Sequence, residues 1–237
     1  MLDERLSLVR DLYDRCDLAA DIGTDHAHLP GALLLSGICR RMILTDISDS
    51  ALDNARRHMI RLRLMDRVSL LPGDGLLPLR GCEAPCGMIS ITGMGGRTIR
   101  DILLAGRDCL RGASLILSAH TDLPLIREAL NEIGYHPDRE EPVFCAGRYY
   151  LVLRARPGQS RPLTAEEIRL GSACLFSSPS PFLAGYLRRR RDVLAEKRRG
   201  LMTAESPDEG LLRQVQADLE TYDDFLRRQE HDRTRDL

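Results

Sequence analysis

The chain has 237 residues, 43% hydrophobic and 29% charged, with a formal net charge of −1. That balance excludes a disordered polyion, and no run approaches the roughly 18 apolar residues of a membrane span. Seven scattered cysteines, an odd number, argue against a disulfide framework, and the near-neutral charge excludes a whole-molecule field that would by itself draw in nucleic acid.

The opening MLDERLSLVRDLYDR is charged throughout and has no apolar leader, so a cytoplasmic location is expected. Its Leu2, Leu6, Val9 and Tyr13 fall on one helical face. A short apolar run follows at 18–23, then a helix through 29–35 and a second run at 42–46. Ser48 can cap the next helix, where Leu52, Ala55, Met59 and Leu62 recur at three and four residues. Further runs at 68–75, 87–96 and 114–120 alternate with helical stretches. The last two, 142–145 and 149–155, are separated by a tight Ala-Gly-Arg turn and read as a hairpin. Strands alternating with helices imply a parallel sheet covered on both faces, closed here by one antiparallel strand. That is the strand count of the class I methyltransferase Rossmann-like sheet.

Residues 157–163, PGQSRPL, shift to Pro, Gly and Ser and divide the chain into an α/β part, 1–158, and a helical part, 159–237. In the second part, Thr164 to Glu167 and Ser206 to Glu209 have capping-box spacing, with Pro207 at a first helical position. SSPSP at 177–181 breaks the first helix. Leu212, Val215, Leu219, Tyr222 and Leu226 form a coiled-coil seam, so 183–201 and 211–226 read as an antiparallel helical hairpin.

In an open parallel sheet the ligand sits at the carboxyl ends of the strands, and four loops there carry acidic residues or glycines. The first, DIGTDHAHLP at 21–30, places Asp21 before Gly23 and Asp25 where a dinucleotide fingerprint would have its second glycine. A carboxylate there repels a diphosphate but suits a ligand bearing a sulfonium and an ammonium group, which selects S-adenosylmethionine over NAD. Asp46, 23 positions beyond Gly23, can accept from both ribose hydroxyls, with Ile47 beside it. Asp74, followed by Gly75, can accept from an adenine amine. Gly93 and Met94 open the GMGG loop, a floor where donor and acceptor could meet. Cys82 and Cys86 are the one close cysteine pair and find no second pair, so no metal site is expected.

DIGTDHAHLP, TDIS, GDGL, ITGMGG and the closing GRYYLVLRA together resemble the bacterial tRNA adenine-N1-methyltransferases that modify position 22. The likeness continues through LTAEEIRLG and the helical hairpin, and so spans nearly the whole chain. It implies a class I fold, S-adenosylmethionine as donor, a C-terminal helical domain that helps hold tRNA, and no metal. Two positions depart from the family's pattern: His28 stands where tyrosine is common, and Ser118-Ala119-His120 where many members carry Gln-Pro-Asn.

On this reading Asp25, His26 and His120 are the candidate catalytic residues, and Arg97, Arg100, Arg188, Arg189 and Arg191 the candidate RNA contacts. Arg56, Arg57, Arg61 and Arg63 form a further patch, read as a solvated face. With four Phe, six Tyr and no Trp, extended single-strand stacking is disfavoured, whereas a structured RNA held by shape and phosphates is compatible. Two other readings fit the residues alone: a methyltransferase with a small-molecule or protein acceptor, and a catalytically inactive RNA-binding relative.

Overall fold

The structure, a computed structural model, describes residues 2–158, 161–177, 180–204, 206 and 208–235. Among them, β1 (Cys16–Ile22), β2 (Cys39–Asp46), β3 (Val68–Pro72), β4 (Met88–Met94), β5 (Ser114–Ala119), β6 (Tyr135–Cys145) and β7 (Arg148–Pro157) form one sheet. Its order is β3-β2-β1-β4-β5-β7-β6, with β1 to β5 parallel and the β6–β7 hairpin antiparallel. The order reverses between β1 and β4, and a crevice opens beyond their carboxyl ends.

Helices α1 (Glu4–Asp11), α2 (His28–Leu35) and α3 (Asp49–Leu62) share one core with Ala19, Met42, Leu44, Met88 and Ile116. Helices α4 (Gly96–Ala105) and α5 (Leu123–Ile133) share the other with Ile89, Ile91, Leu115 and Leu117. Burial on both faces is why these central strands read as unbroken apolar runs. Ser48 caps α3, its Oγ accepting from the Ala51 amide as the sequence predicts.

The hairpin is longer than its apolar pattern. β6 starts at Tyr135, and its first half holds Pro137, Asp138 and Glu140, paired with β7 across a bulge between Pro137 and Arg139. Ion pairs hold that half in place of apolar alternation: Asp138 accepts from Arg154 (2.8 Å) and Arg156 (2.6 Å). As the edge strand, β6 tolerates its prolines because no ladder bond is demanded on the open side.

Beyond the hairpin lie α6 (Ala165–Leu170), α7 (Ala173–Ser177), α8 (Leu183–Met202) and α9 (Glu209–Arg235). The Thr164 capping box forms as expected, but Gly171, at φ 147°, ends α6 early and turns the chain into α7. The start of α9 also moves: Asp208, not Ser206, caps it by accepting from the Leu211 amide at 2.9 Å, and Pro207 lies outside the described residues. α8 and α9 run antiparallel, burying Leu187 and Ala195 against Val215, Leu219 and Tyr222. This hairpin does not stand apart from the sheet, since Leu170, Leu175, Tyr186 and Tyr222 join the core of Leu130, Tyr135 and Leu151. At the junction, buried Arg127 of α5 pairs with buried Glu140 of β6 at 2.7 Å. Arg127 also donates to the Ile168 carbonyl, and Glu140 accepts from the Ser172 amide.

Candidate active site

Asp21 closes β1 with its carboxylate buried under the crevice, accepting from the hydroxyls of Ser90 and Thr24. Burial pushes its pKa up to about 6; the two hydroxyls pull it down, and the Asp46 charge raises it further. The chain then turns at Gly23 (φ 73°), passes Asp25 (φ 33°) and Ala27 (φ 53°), and enters α2 with no side-chain cap. The first amides of that helix are therefore left for a ligand or water. Gly23 lies under Met94: a Cβ there would fall 2.0 Å from the Met94 Cε.

Backbone bonds stitch the loops to one another. The amides of Gly23 and Thr24 both donate to the Thr45 carbonyl, and the Gly73 amide to the Asp46 carbonyl. The hydroxyl of buried Thr45 reaches the Gly75 carbonyl at 3.2 Å. On the other side, the His120 amide donates to the Met94 carbonyl and the Gly96 amide to the Thr121 carbonyl. Gly96 is obligatory rather than flexible, because a Cβ there would lie 2.4 Å from the Asp122 carbonyl oxygen. Gly93 (φ 82°) faces open space.

Asp46 accepts from the Ser48 amide through Oδ1 at 2.9 Å, which orients the carboxylate and leaves Oδ2 for a ligand hydroxyl. Ile47 beside it is 77% exposed, an apolar surface held at the crevice rim. Asp74 and Gly75 border a cleft against Thr98, Asp101 and Ile102 at the start of α4. Thus Asp21, Gly23, Asp25, Asp46, Ile47, Asp74, Gly75, Gly93 and Met94 all lie at neighbouring strand ends. The motifs do not single out Ser90, Thr24 and Thr45, whose hydroxyls support Asp21 and the Gly75 carbonyl. For Ser90 the signal is a hydroxyl inside an otherwise apolar run, Ile-Ser-Ile at 89–91.

His26 and Asp25 are exposed and 3.4 Å apart. His120, at the end of β5, sets its ring edge-on to Tyr150 at 5.7 Å, and Arg5 covers the Tyr150 ring at 5.6 Å. Arg97 is exposed at the start of α4, while Arg100 is engaged with its neighbour Asp101. The hairpin arginines are set apart on α8. There Arg191 pairs with Asp223 at 2.8 Å and Arg189 with Glu196 at 3.6 Å, while Arg188 is exposed. No group of three or more metal-ligating side chains gathers among the described residues, and no described helix is long and apolar enough to cross a membrane.

Residues 2–153 match the family described as "Methyltransferase domain". The tRNA (adenine(22)-N(1))-methyltransferase of Bacillus subtilis is 35% identical over 184 residues, 77% of this chain and 75% of that protein. The crystal structure of the B. subtilis m1A22 tRNA methyltransferase superposes with a TM-score of 0.82 at 26% identity, covering 95% of this chain and 99% of that one. A Streptococcus pneumoniae structure in complex with S-adenosyl-L-methionine shares the fold with a TM-score of 0.82 at 24% identity, covering 95% and 100% of the two chains. The chain belongs to the methyltransferase family that contains the bacterial tRNA (adenine(22)-N(1))-methyltransferases.

Proposed function

We propose that the protein transfers a methyl group from S-adenosylmethionine to N1 of adenine 22 in tRNA, in the cytoplasm where that substrate resides. The observation that carries this reading is the acidic rim: Asp21, Asp25, Asp46 and Asp74 at adjacent strand ends, with glycine turns between them, in a chain 35% identical to an enzyme of that name. The residues fit the donor. Asp46 Oδ2 is available to a ribose hydroxyl, Ile47 offers an apolar face to adenine, and Asp74 can accept from its amine. Asp25 complements positive charge, and the uncapped start of α2 complements a carboxylate. Bound there, S-adenosylmethionine supplies an electrophilic methyl group on a sulfonium.

The acceptor nitrogen carries a free lone pair, so no general base is required, and the protein's work is alignment in line with the scissile bond. The methylated base is cationic, and Asp25 or the Gly93 carbonyl stabilises the developing charge. His26 and His120 orient the base, which must be unpaired or flipped out at about a few kcal/mol. Residues 1–158 act as the catalytic domain and 159–237 as the tRNA-holding one. Arg97 and Arg188 are available to phosphates, and Arg100, Arg189 and Arg191 reach RNA by exchanging their carboxylate partners.

Calorimetric titration with S-adenosylhomocysteine, followed by transfer of labelled methyl to bulk bacterial tRNA, tests the reading. Saturable binding with label recovered as N1-methyladenosine is expected. Binding without labelled tRNA would reassign the acceptor, and no binding would overturn the donor.

A further inference from the structure

Between α2, α3 and the first strand-end loop lies a cleft of about 500 Å³ lined by His26, His28, Asn54, Arg57, His58 and Arg61. Arg57 and Arg61 are one helical turn apart on the exposed face of α3. Both guanidinium groups are oriented by neutral acceptors. Arg57 donates to Asn54 Oδ1, and Arg61 Nη2 lies 3.1 Å from His58 Nδ1, which must accept because a guanidinium only donates. Burial and the neighbouring His28 and Arg61 charges hold the His58 pKa below the usual imidazole range, which keeps that lone pair available.

His58 packs beside α2 over Gly31, where a Cβ would lie 2.7 Å from Leu62 Cδ1 and 3.3 Å from His58 Nε2. His28 sets its ring edge-on to His58 at 4.9 Å, and His26 follows at 5.8 Å from His28. No carboxylate is among the lining residues; Asp25 touches His26 from outside. The C-terminal hairpin contrasts with this, since Arg189, Arg191 and Arg228 there each face a carboxylate. An arginine aimed by neutral partners keeps its full charge for an incoming anion. His26 directly follows Asp25 of the crevice rim, so the lining of the cleft begins one residue beyond it.

We propose that this cleft grips the sugar–phosphate backbone of the RNA beside the methylated base, with Arg57 and Arg61 on phosphate oxygens and His28 along the adjoining ribose. The proposal rests on the RNA reading above. Filter binding of end-labelled bacterial tRNA between 50 and 200 mM salt, comparing the wild type with Arg57→Ala/Arg61→Ala, tests it. The double variant is expected to bind about tenfold or more weakly at low salt, with a slope of log K against log salt shallower by about 1 to 2. Its S-adenosylhomocysteine affinity and melting temperature are expected to stay unchanged. Wild-type affinity and slope in the variant would overturn the proposal while leaving the functional reading intact. A wild type that neither binds nor methylates tRNA would remove both. Should the double variant fail to fold, Arg57→Glu at its exposed position gives the same comparison.

Discussion

Asp21 sits beneath the ligand surface with its carboxyl raised to about 6 by burial, whereas its ordinary value is 3.8. Because the folded value is the higher one, its contribution to stability is complete below the unfolded pKa. It is lost as pH rises through about 6, at a cost of ~3 kcal/mol once ionised. Urea unfolding of the wild type and Asp21→Asn at pH 4 and pH 7.5 isolates this term. The wild type is expected to lose about 2 kcal/mol more than the variant over that interval; parallel profiles would mean that the carboxyl titrates as an exposed group. The Ser90 and Thr24 hydroxyls offset part of the burial penalty of this charge.

At the scale of elements, the junction of α5, β6, α6 and α7 depends on one ion pair. Arg127→Met leaves Glu140 buried without its cation and removes a donor from the Ile168 carbonyl. The expected loss is about 3 to 5 kcal/mol in chemical denaturation, much of it recovered in Arg127→Met/Glu140→Leu, where no charge remains buried. Recovery failing in the double variant would show that the hydrogen bonds to Ile168 and Ser172, rather than the charges, hold the junction. This junction was not legible in the sequence, because Arg127 and Glu140 look like surface residues until the helical part covers them. The first half of β6 stayed hidden for a related reason, since its Asp138 and prolines obey ion pairing and edge geometry instead of alternation. By contrast, β1, β4 and β5 were legible because burial on both faces leaves a continuous apolar run. The carboxylates and glycines at the strand ends were legible because a turn into a helix needs special backbone geometry at a known place. The cationic cleft is not legible in the sequence: Arg57 and Arg61 share a solvated-looking helix face, and only the fold brings His26 and His28 to it.

For the whole molecule, the composition shift at 157–163 marks a change of architecture without separating two cores. Leu170, Leu175, Tyr186 and Tyr222 complete the cluster that Leu130, Tyr135 and Leu151 begin. Residues 1–158 produced alone are therefore expected to melt about 10 °C or more below the full chain and to bind an apolar dye; equal melting temperatures and no dye binding would show that the helices are dispensable to the sheet. The stitched loops have a different consequence, for how such an enzyme diversifies. Their geometry is held by main-chain bonds among Gly23, Thr24, Thr45, Asp46, Gly73, Met94, Gly96, His120 and Thr121, which do not depend on the side chains facing the crevice. Exposed positions such as 28 and 120 can thus be rewritten by mutation while the loops keep their shape, so the side chains presented there are free to drift on a fixed chassis.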